Sequence, residues 1–224
     1  MRWDLLANTL WDMFLAAIPA VLGWLLAGGM RSTPNRRLWL WAPLLILWLI
    51  FLPNTCYLLT ELRHLRWRLD SADLPDSGMD RPDSLQRLLR WTLFYAIFSG
   101  FGLLTFALAI RPLERFARSR GFPLNALAPP FFLLMAVGVY LGLRLRFNSW
   151  DLLHQPLRVA QTAWETLTSP GAARLYILSF AVFLWLVYVV LDIWLDGLYL
   201  RVERWRVISA DRPARRRPPP SSRN

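Results

Sequence analysis

The chain has 224 residues, of which 55% are hydrophobic, and its formal net charge at pH 7 is +11. All 26 of its Lys and Arg residues are Arg, which excludes mechanisms that need a Schiff-base lysine or a phosphate-loop lysine. The single cysteine, Cys56, excludes an intramolecular disulfide. Because the arginines lie between and after apolar blocks, we expect anionic lipid headgroups to be their partners, and not nucleic acid.

Five apolar runs are long enough to cross a bilayer, whose core of about 30 Å needs roughly 20 helical residues. They cover residues 10–30, 38–59, 91–110, 127–147 and 175–200. Each run must be helical, because unpaired backbone amides in hydrocarbon cost several kcal/mol and the runs lack the alternation of a barrel strand. The sequence therefore predicts an all-α, polytopic transmembrane bundle over residues 1–205, with the first run retained as a helix and not cleaved as a signal peptide.

The distribution of Arg predicts the orientation of the bundle, because basic residues in short loops stay in the cytoplasm. The loops after the first and third runs, together with the C-terminal segment, hold 15 Arg and three acidic residues. The opposite face holds nine Arg and nine acidic residues. We therefore predict a multi-pass protein of the plasma membrane, which in a bacterium is the inner membrane, with the N-terminus outside and the C-terminus in the cytoplasm.

Two polar segments have compositions that favour disorder. The loop 66–88 contains the run DSADLPDSGMDRPDS, which is rich in acids, Pro, Gly and Ser, and we predict that it is mobile. The segment 206–224 is basic and rich in Pro, and we predict a disordered cytoplasmic tail. Its arginines are expected to rest on anionic headgroups or to act as a plain topological anchor.

Familiar catalytic and ligand-binding motifs are absent from the sequence: no dinucleotide fingerprint, phosphate loop, zinc-protease motif, C-x-x-C or nucleophile elbow occurs. We therefore predict no cofactor and no metal, and the balance of the sequence is against an enzyme. Polar residues at helix ends are the remaining candidates, since ionisable groups in a membrane are often functional. Those at the predicted outer face, which we call the outer polar cluster, are Asp12, Asn54, Tyr57, Glu61, His64, Arg144, Arg146, Asn148 and Asp151.

The second run contains Pro53, which removes a backbone donor and predicts a kink whose freed carbonyl Asn54 is placed to satisfy. The fourth run contains Gly138 and Gly142, a small-x-x-x-small pair that favours close helix packing. Arg144 and Arg146 lie about 200° apart on an ideal helix. We therefore expect one of the two to face the bundle, with Asp12 or Glu61 as counter-ion, and the other to reach the headgroups.

The segments LPNTCYLLTELRHL and YLGLRLRFNSWD, which begin at Leu52 and Tyr140, resemble an uncharacterised family of bacterial membrane proteins, domain of unknown function 1361. The family has no established activity to transfer. The resemblance implies that the residues matching its motif positions are Pro53, Asn54, Tyr57, Thr60, His64, Gly142, Arg146, Asn148, Trp150 and Asp151.

Three functions remain open from the sequence. The first is a non-enzymatic bundle that binds lipid or a partner protein through the outer polar cluster. The second is a small transporter or channel subunit, which the Pro53 kink and the carboxylates Asp192 and Asp196, four residues apart on the fifth run, would support. The third is a membrane enzyme acting on lipid-linked substrates, with Glu61 or Asp151 as base, His64 as proton shuttle and Arg146 as anion ligand.

Overall fold

A computed structural model describes residues 2–60, 81–147, 151–168 and 171–211. In these ranges the secondary structure is helical, with no strand, which confirms the all-α prediction. In chain order the elements are α1 (Arg2–Ser32), a 3-10 helix (Asn35–Trp41), α2 (Ala42–Phe51), α3 (Pro53–Thr60), α4 (Arg81–Ser119), α5 (Leu124–Leu145), α6 (Asp151–His154), α7 (Pro156–Thr168) and α8 (Ala172–Asp211).

Within the described ranges, five helical segments have the length and apolar content needed to cross a bilayer, which agrees with the predicted number of spans. They are Thr9–Ser32, Arg37–Thr60, Leu88–Ser119, Leu124–Leu145 and Ala172–Val207. Large apolar side chains point out of the protein along these spans; Trp24 is 63% exposed and Val190 is 64% exposed. Extended apolar surfaces of this kind are stable in lipid and not in water. The chain is therefore an integral, multi-pass membrane protein.

Side-chain contacts show that successive spans run in opposite directions. Ala16 of α1 packs with Leu58 of α3 and Phe98 of α4 in one buried cluster. Further along α1, a Cβ on Gly23 would meet Ala109 of α4 and Trp48 of α2. Along the direction in which residue numbers rise in α1, they also rise in α4 and fall in the second span. The first and third spans are therefore parallel, and the second is antiparallel to both.

The same alternation holds for α5 and α8. The rings of Phe132 and Tyr188 have centroids 5.8 Å apart, and those of Tyr140 and Tyr176 are 5.9 Å apart. The two helices are therefore antiparallel over this stretch. We call the end of the bundle that carries the α5 C-terminus the Arg146 end, and the opposite end the Glu114 end.

Two boundaries differ from the prediction. Helix α4 begins at Arg81, so residues 81–88 of the segment predicted to be a mobile loop are helical. Helical spacing of Leu85, Leu88 and Leu89, after a proline that the first turn tolerates, explains why the helix starts so early. Residues 61–80 of this loop lie outside the described part of the chain.

Helix α8 continues to Asp211, so residues 206–211 of the segment predicted to be a disordered tail are helical. Val202 and Val207 carry the apolar spacing of the span past residue 205, and the first residue that a helix disfavours is Pro213. Residues 212–224 are not among those described.

Contacts between residues divide the chain into two units, Met1–Tyr188 and Val189–Asn224. The first unit contains the buried side chains of four spans and the first half of α8. The second unit contains the rest of α8, where Asp192 is half-buried and Asp196 is exposed.

Polar contacts at the Glu114 end, within the first unit, join α8 to α4 and terminate α4. Tyr188 of α8 donates its hydroxyl to the Glu114 carboxylate of α4, and Arg118 forms an ion pair with the same carboxylate. Helix α4 then ends in a Schellman motif: Gly121 has φ 78°, and the Phe122 amide donates to the Ala117 carbonyl oxygen at 3.1 Å. The positive φ favours glycine at this turn into α5.

Candidate functional site

The second span is divided at Leu52, directly before Pro53, where the kink was predicted; Leu52 itself keeps helical dihedral angles, φ −59° and ψ −39°. Helix α2 ends at Phe51 and α3 begins at Pro53. Asn54 is half-buried beside the break. The Thr55 hydroxyl donates to the Leu52 carbonyl oxygen at 2.7 Å, so a buried threonine contributes to the hydrogen bonding of the broken turn.

Two neighbouring helices pack closely against the break. A Cβ on Gly138 of α5 would lie 2.8 Å from Pro53 Cγ, and a Cβ on Gly102 of α4 would lie 2.6 Å from the Thr55 carbonyl oxygen. Both glycines allow an approach that a larger residue would block. The predicted packing role of Gly138 is confirmed. A Cβ on Gly142 would lie 3.6 Å from the carbonyl oxygen of Phe147, just after the end of α5, which is an ordinary van der Waals contact. The break is filled by packing, which favours a structural role for it.

The first part of the outer polar cluster lies beside the buried contact of α1, α3 and α4. Asp12 is half-buried and precedes Met13, which packs against the cluster containing Leu58. Tyr57, also half-buried, immediately precedes Leu58. Asp12 and Tyr57 therefore lie toward the Arg146 end, together with the end of α3. Glu61 and His64 of the cluster fall outside the described residues.

The second part of the outer polar cluster lies where α5 ends. Arg144 and Arg146 are both exposed, so the expectation that one of them faces the bundle is wrong. The ideal helical angle does not apply because α5 ends at Leu145 and Arg146 adopts a left-handed conformation with φ 57°. Asp151 is half-buried and begins α6. Asn148 lies outside the described residues.

Arg146 is held in this conformation by the backbone around it. The Leu141 carbonyl oxygen accepts hydrogen bonds from the amides of both Arg146 and Phe147, the latter at 3.2 Å. A left-handed residue other than Gly, Asn or Asp costs of order 1–2 kcal/mol, and such residues concentrate at functional sites. The strained turn directs the chain from α5 toward α6 and leaves the Arg146 side chain exposed.

Helix α7, which the sequence did not predict, packs against α5 and α8 near the Arg146 end. Val159 is 6% exposed and belongs to a buried cluster with Leu141 of α5 and Ile177 of α8, against which Ala163 and Leu167 also pack. The four-residue spacing of these three α7 side chains after Pro156 was the available signal. On its exposed side α7 carries Leu157, Ala160 and Trp164, which share a helical face.

Four arginines lie close in sequence to the residues of this buried cluster, at the Arg146 end. Arg144 is three residues from Leu141, Arg158 adjoins Val159, and Arg174 is three residues from Ile177. Arg158 also places its guanidinium 5.9 Å from the centroid of the Phe147 ring, beside Arg146. All four are exposed. We call this set, Arg144, Arg146, Arg158 and Arg174, the arginine corner.

The charge of the arginine corner is only partly balanced nearby. Between residues 140 and 180 the sequence has four Arg and two acidic residues, Asp151 and Glu165. Arg158 donates to the Gln155 side-chain oxygen at 3.1 Å, a contact with a neutral acceptor. Guanidinium groups donate hydrogen bonds in a planar fork that matches the oxygens of phosphate and carboxylate. The arrangement is chemically suited to hold an anionic group.

Sequence reasoning placed Arg144 and Arg146 in the candidate site but left out Arg158 and Arg174. The sequence counts both only as charges of the outer loop: the helix that positions Arg158 is not predicted, and Arg174 precedes the predicted fifth run by one residue. The contact of Tyr188 with Glu114 was missed as well, although Glu114 is the only acidic residue between Arg111 and Arg120. Among the described residues, no group of three or more His, Cys, Asp or Glu is placed to hold a metal ion.

Comparisons with known proteins agree with the resemblance noted in the sequence. The family described as "Protein of unknown function (DUF1361)" has a model that matches residues 11–189. The search of curated proteins and the search of solved structures each returned no match. The matched region includes the five spans, apart from the start of the first and the end of the last, together with both parts of the outer polar cluster. The chain therefore belongs to this family of unknown function.

Proposed function

We propose that the protein is a non-enzymatic membrane bundle that binds the anionic headgroup of a lipid at the arginine corner. The observation that carries the proposal is that four exposed arginines lie within three residues, in sequence, of side chains that form or pack against one buried cluster of α5, α7 and α8. In the orientation that the Arg distribution predicts, this corner lies in the outer leaflet. The ligand is therefore a lipid of that leaflet with a phosphate in its headgroup.

Electrostatics supports a phosphate as the bound group. Two guanidinium groups supply several donors to the phosphate oxygens, and hydrogen bonds between charged groups contribute about 1.5–3 kcal/mol each. The interface between headgroups and hydrocarbon screens charge less than bulk water does, which strengthens the attraction. Arg146 contributes in spite of its strained backbone, and this is the pattern expected where a strained residue serves a ligand.

The surroundings of the corner support a lipid over a soluble anion. Leu157 is 78% exposed and Trp164 is 69% exposed on the free side of α7. Amphipathic helices with Trp and Leu on one face lie in the membrane interface, at the level of the headgroups. The arginines beside α7 are thus expected at the depth where lipid phosphates are concentrated.

Native mass spectrometry of the purified full chain tests the proposal. The protein is titrated with phosphatidylglycerol and with phosphatidylcholine of the same acyl chains, and the bound fraction is measured for each. We expect phosphatidylglycerol to bind more tightly. The double substitution Arg144→Gln/Arg146→Gln is expected to weaken its binding by about tenfold. The binding of phosphatidylcholine, whose phosphate charge is balanced by choline, should weaken by less.

The matched control is Arg31→Gln/Arg37→Gln, which removes the same charge from two exposed arginines that lie toward the Glu114 end. It is expected to retain the preference for phosphatidylglycerol. Equal loss in both double variants would mean that binding depends on overall charge and not on the corner, and the proposal would be wrong. Equal binding of the two lipids by the unsubstituted protein would also contradict it.

A further inference from the structure

Aromatic rings form a continuous ladder along the seam between α5 and α8. The centroids of the Tyr140 and Tyr176 rings are 5.9 Å apart, those of Tyr176 and Phe180 are 5.8 Å apart, and those of Phe180 and Phe183 are 5.9 Å apart. The rings of Tyr176 and Phe180 are nearly parallel, at 7°. Tyr140, Tyr176 and Phe180 are half-buried and Phe183 is 42% exposed, so the edge of the ladder is open to lipid.

Small buried side chains lie behind the ladder. Ala136 of α5 is fully buried and Ala181 of α8 is 8% exposed, in the cluster against which Tyr140, Tyr176 and Phe180 pack. The rings of Tyr140, Tyr176 and Phe180 thus pack over this cluster. The exposed part of the ladder is an apolar, aromatic surface at the seam between the two helices.

The ladder begins at the arginine corner. Tyr140 precedes Arg144 by one helical turn, and Tyr176 follows Arg174 by two residues. From Tyr176 to Phe183 the helix rises about 10 Å, at 1.5 Å per residue. A molecule whose charged end lies at the corner thus has an aromatic surface extending from that end toward the centre of the bilayer.

We infer that a phospholipid bound at the arginine corner lays one acyl chain along the ladder formed by Tyr140, Tyr176, Phe180 and Phe183. This inference rests on the proposed function and specifies its ligand: a lipid recognised by both its phosphate and its chain. The charge of the arginine corner favours a phospholipid over an apolar helix of a partner protein, because such a helix would bring no anion to the arginines. Aromatic rings lose little conformational freedom on contact, and each adds dispersion energy along the chain.

Chain length separates the two parts of the site. Dioleoyl-phosphatidylglycerol and dihexanoyl-phosphatidylglycerol share a headgroup, but the short chains end before the lower part of the ladder. We expect the dioleoyl lipid to bind more tightly to the full-length protein in native mass spectrometry. Phe183→Ala is expected to weaken the binding of the dioleoyl lipid about fivefold and to leave the binding of the dihexanoyl lipid unchanged.

Phe14→Ala is the matched control, because Phe14 is a phenylalanine that is 57% exposed on α1, away from the seam. It should leave both lipids unchanged. A dioleoyl lipid with a diazirine in its acyl chain adds a second readout, and its label is expected between residues 176 and 183. Phe180→Leu keeps an apolar side chain at a half-buried position, and it serves as a second variant in case Phe183→Ala does not fold.

The outcomes distinguish this inference from the proposed function. If both lipids bind equally and both need Arg144 and Arg146, the headgroup site stands and the acyl path is wrong. If neither lipid binds, both proposals fail. If Phe14→Ala and Phe183→Ala weaken binding equally, or if the label spreads evenly over all spans, the chain contacts are those of ordinary surrounding lipid and the inference is overturned. Labelled lipid that is displaced by a co-purifying protein at the seam would overturn it in favour of a protein partner.

Discussion

Gly138 of α5 lies against the pyrrolidine ring of Pro53, where a Cβ on the glycine would come within 2.8 Å of Cγ and 3.2 Å of Cβ of the proline. The contact lies at the break in the second span. The absence of a side chain at Gly138 thus lets α5 pack directly against the break in the second span.

Gly138→Ala is expected to lower the free energy of unfolding by about 1–3 kcal/mol, because the rigid proline ring has no rotamer with which to avoid the new methyl group. Thermal unfolding in detergent measures the effect. Gly100→Ala is the control, since a Cβ there meets nothing within 4 Å. Equal stabilities of the two variants would contradict the close packing at Pro53.

Gly29→Ala is expected to disrupt the corner between α1 and the 3-10 helix, because a Cβ on Gly29 would overlap the indole ring of Trp41. That ring is fixed by a hydrogen bond from Trp41 Nε1 to Thr33 Oγ1 at 3.0 Å. The neighbouring Gly28→Ala, with nothing within 4 Å of its Cβ, should be tolerated. A thermal midpoint unaffected by Gly29→Ala would show that the indole lies elsewhere.

Tyr188→Phe removes the hydroxyl that donates to the Glu114 carboxylate in a part-buried contact. We expect a loss of about 1.5–3 kcal/mol in stability, the range for a hydrogen bond to a charged group. Tyr199→Phe removes an equivalent bond, from Tyr199 to Glu203 at 2.9 Å, but in an exposed setting where the loss should be under about 0.5 kcal/mol. Chemical unfolding of the two variants compares them directly, and losses of equal size would contradict the burial argument.

Arg146→Gly is expected to change stability and binding in opposite directions. Glycine adopts φ 57° without the steric cost that arginine bears, so the variant should be more stable by about 1 kcal/mol. At the same time it loses a guanidinium of the arginine corner and should bind phosphatidylglycerol more weakly. Arg146→Ala loses the same guanidinium without the gain in stability. If Arg146→Gly were less stable than the unsubstituted protein, the left-handed conformation would be wrong.

The five spans follow from the sequence because hydrocarbon requires about 20 apolar helical residues, whatever the packing of the helices. The break at Pro53 also follows, since proline lacks the amide that a helix needs. The partner of that break, Gly138, was recognisable as a residue for close packing, but nothing in the sequence identified Pro53 as the residue that it contacts. Contacts between spans depend on how the helices rotate about their axes, which the apolar runs leave undetermined.

The candidate site followed from the sequence less completely. Arg144 and Arg146 were singled out as charges at a helix end, yet their exposure depends on where α5 stops, and a left-handed arginine has no signature in composition. Arg158 was missed because it lies on α7, which has too few apolar residues to be predicted as a membrane span. Arg174 was missed because α8 begins at Ala172, three residues before the predicted fifth run. Short amphipathic helices gain their stability from the surface that they cover, and this surface is formed by α5 and α8.

The most direct test of the central claim is the reactivity of a cysteine within the arginine corner. Leu145 is 43% exposed between Arg144 and Arg146, so Leu145→Cys in a Cys56→Ala background leaves all four arginines in place. The protein is incorporated into right-side-out vesicles and labelled with a maleimide that does not cross membranes. We predict labelling from outside, at a rate that falls when phosphatidylglycerol replaces part of the phosphatidylcholine. Labelling that requires permeabilised vesicles, or a rate independent of phosphatidylglycerol, would contradict the account.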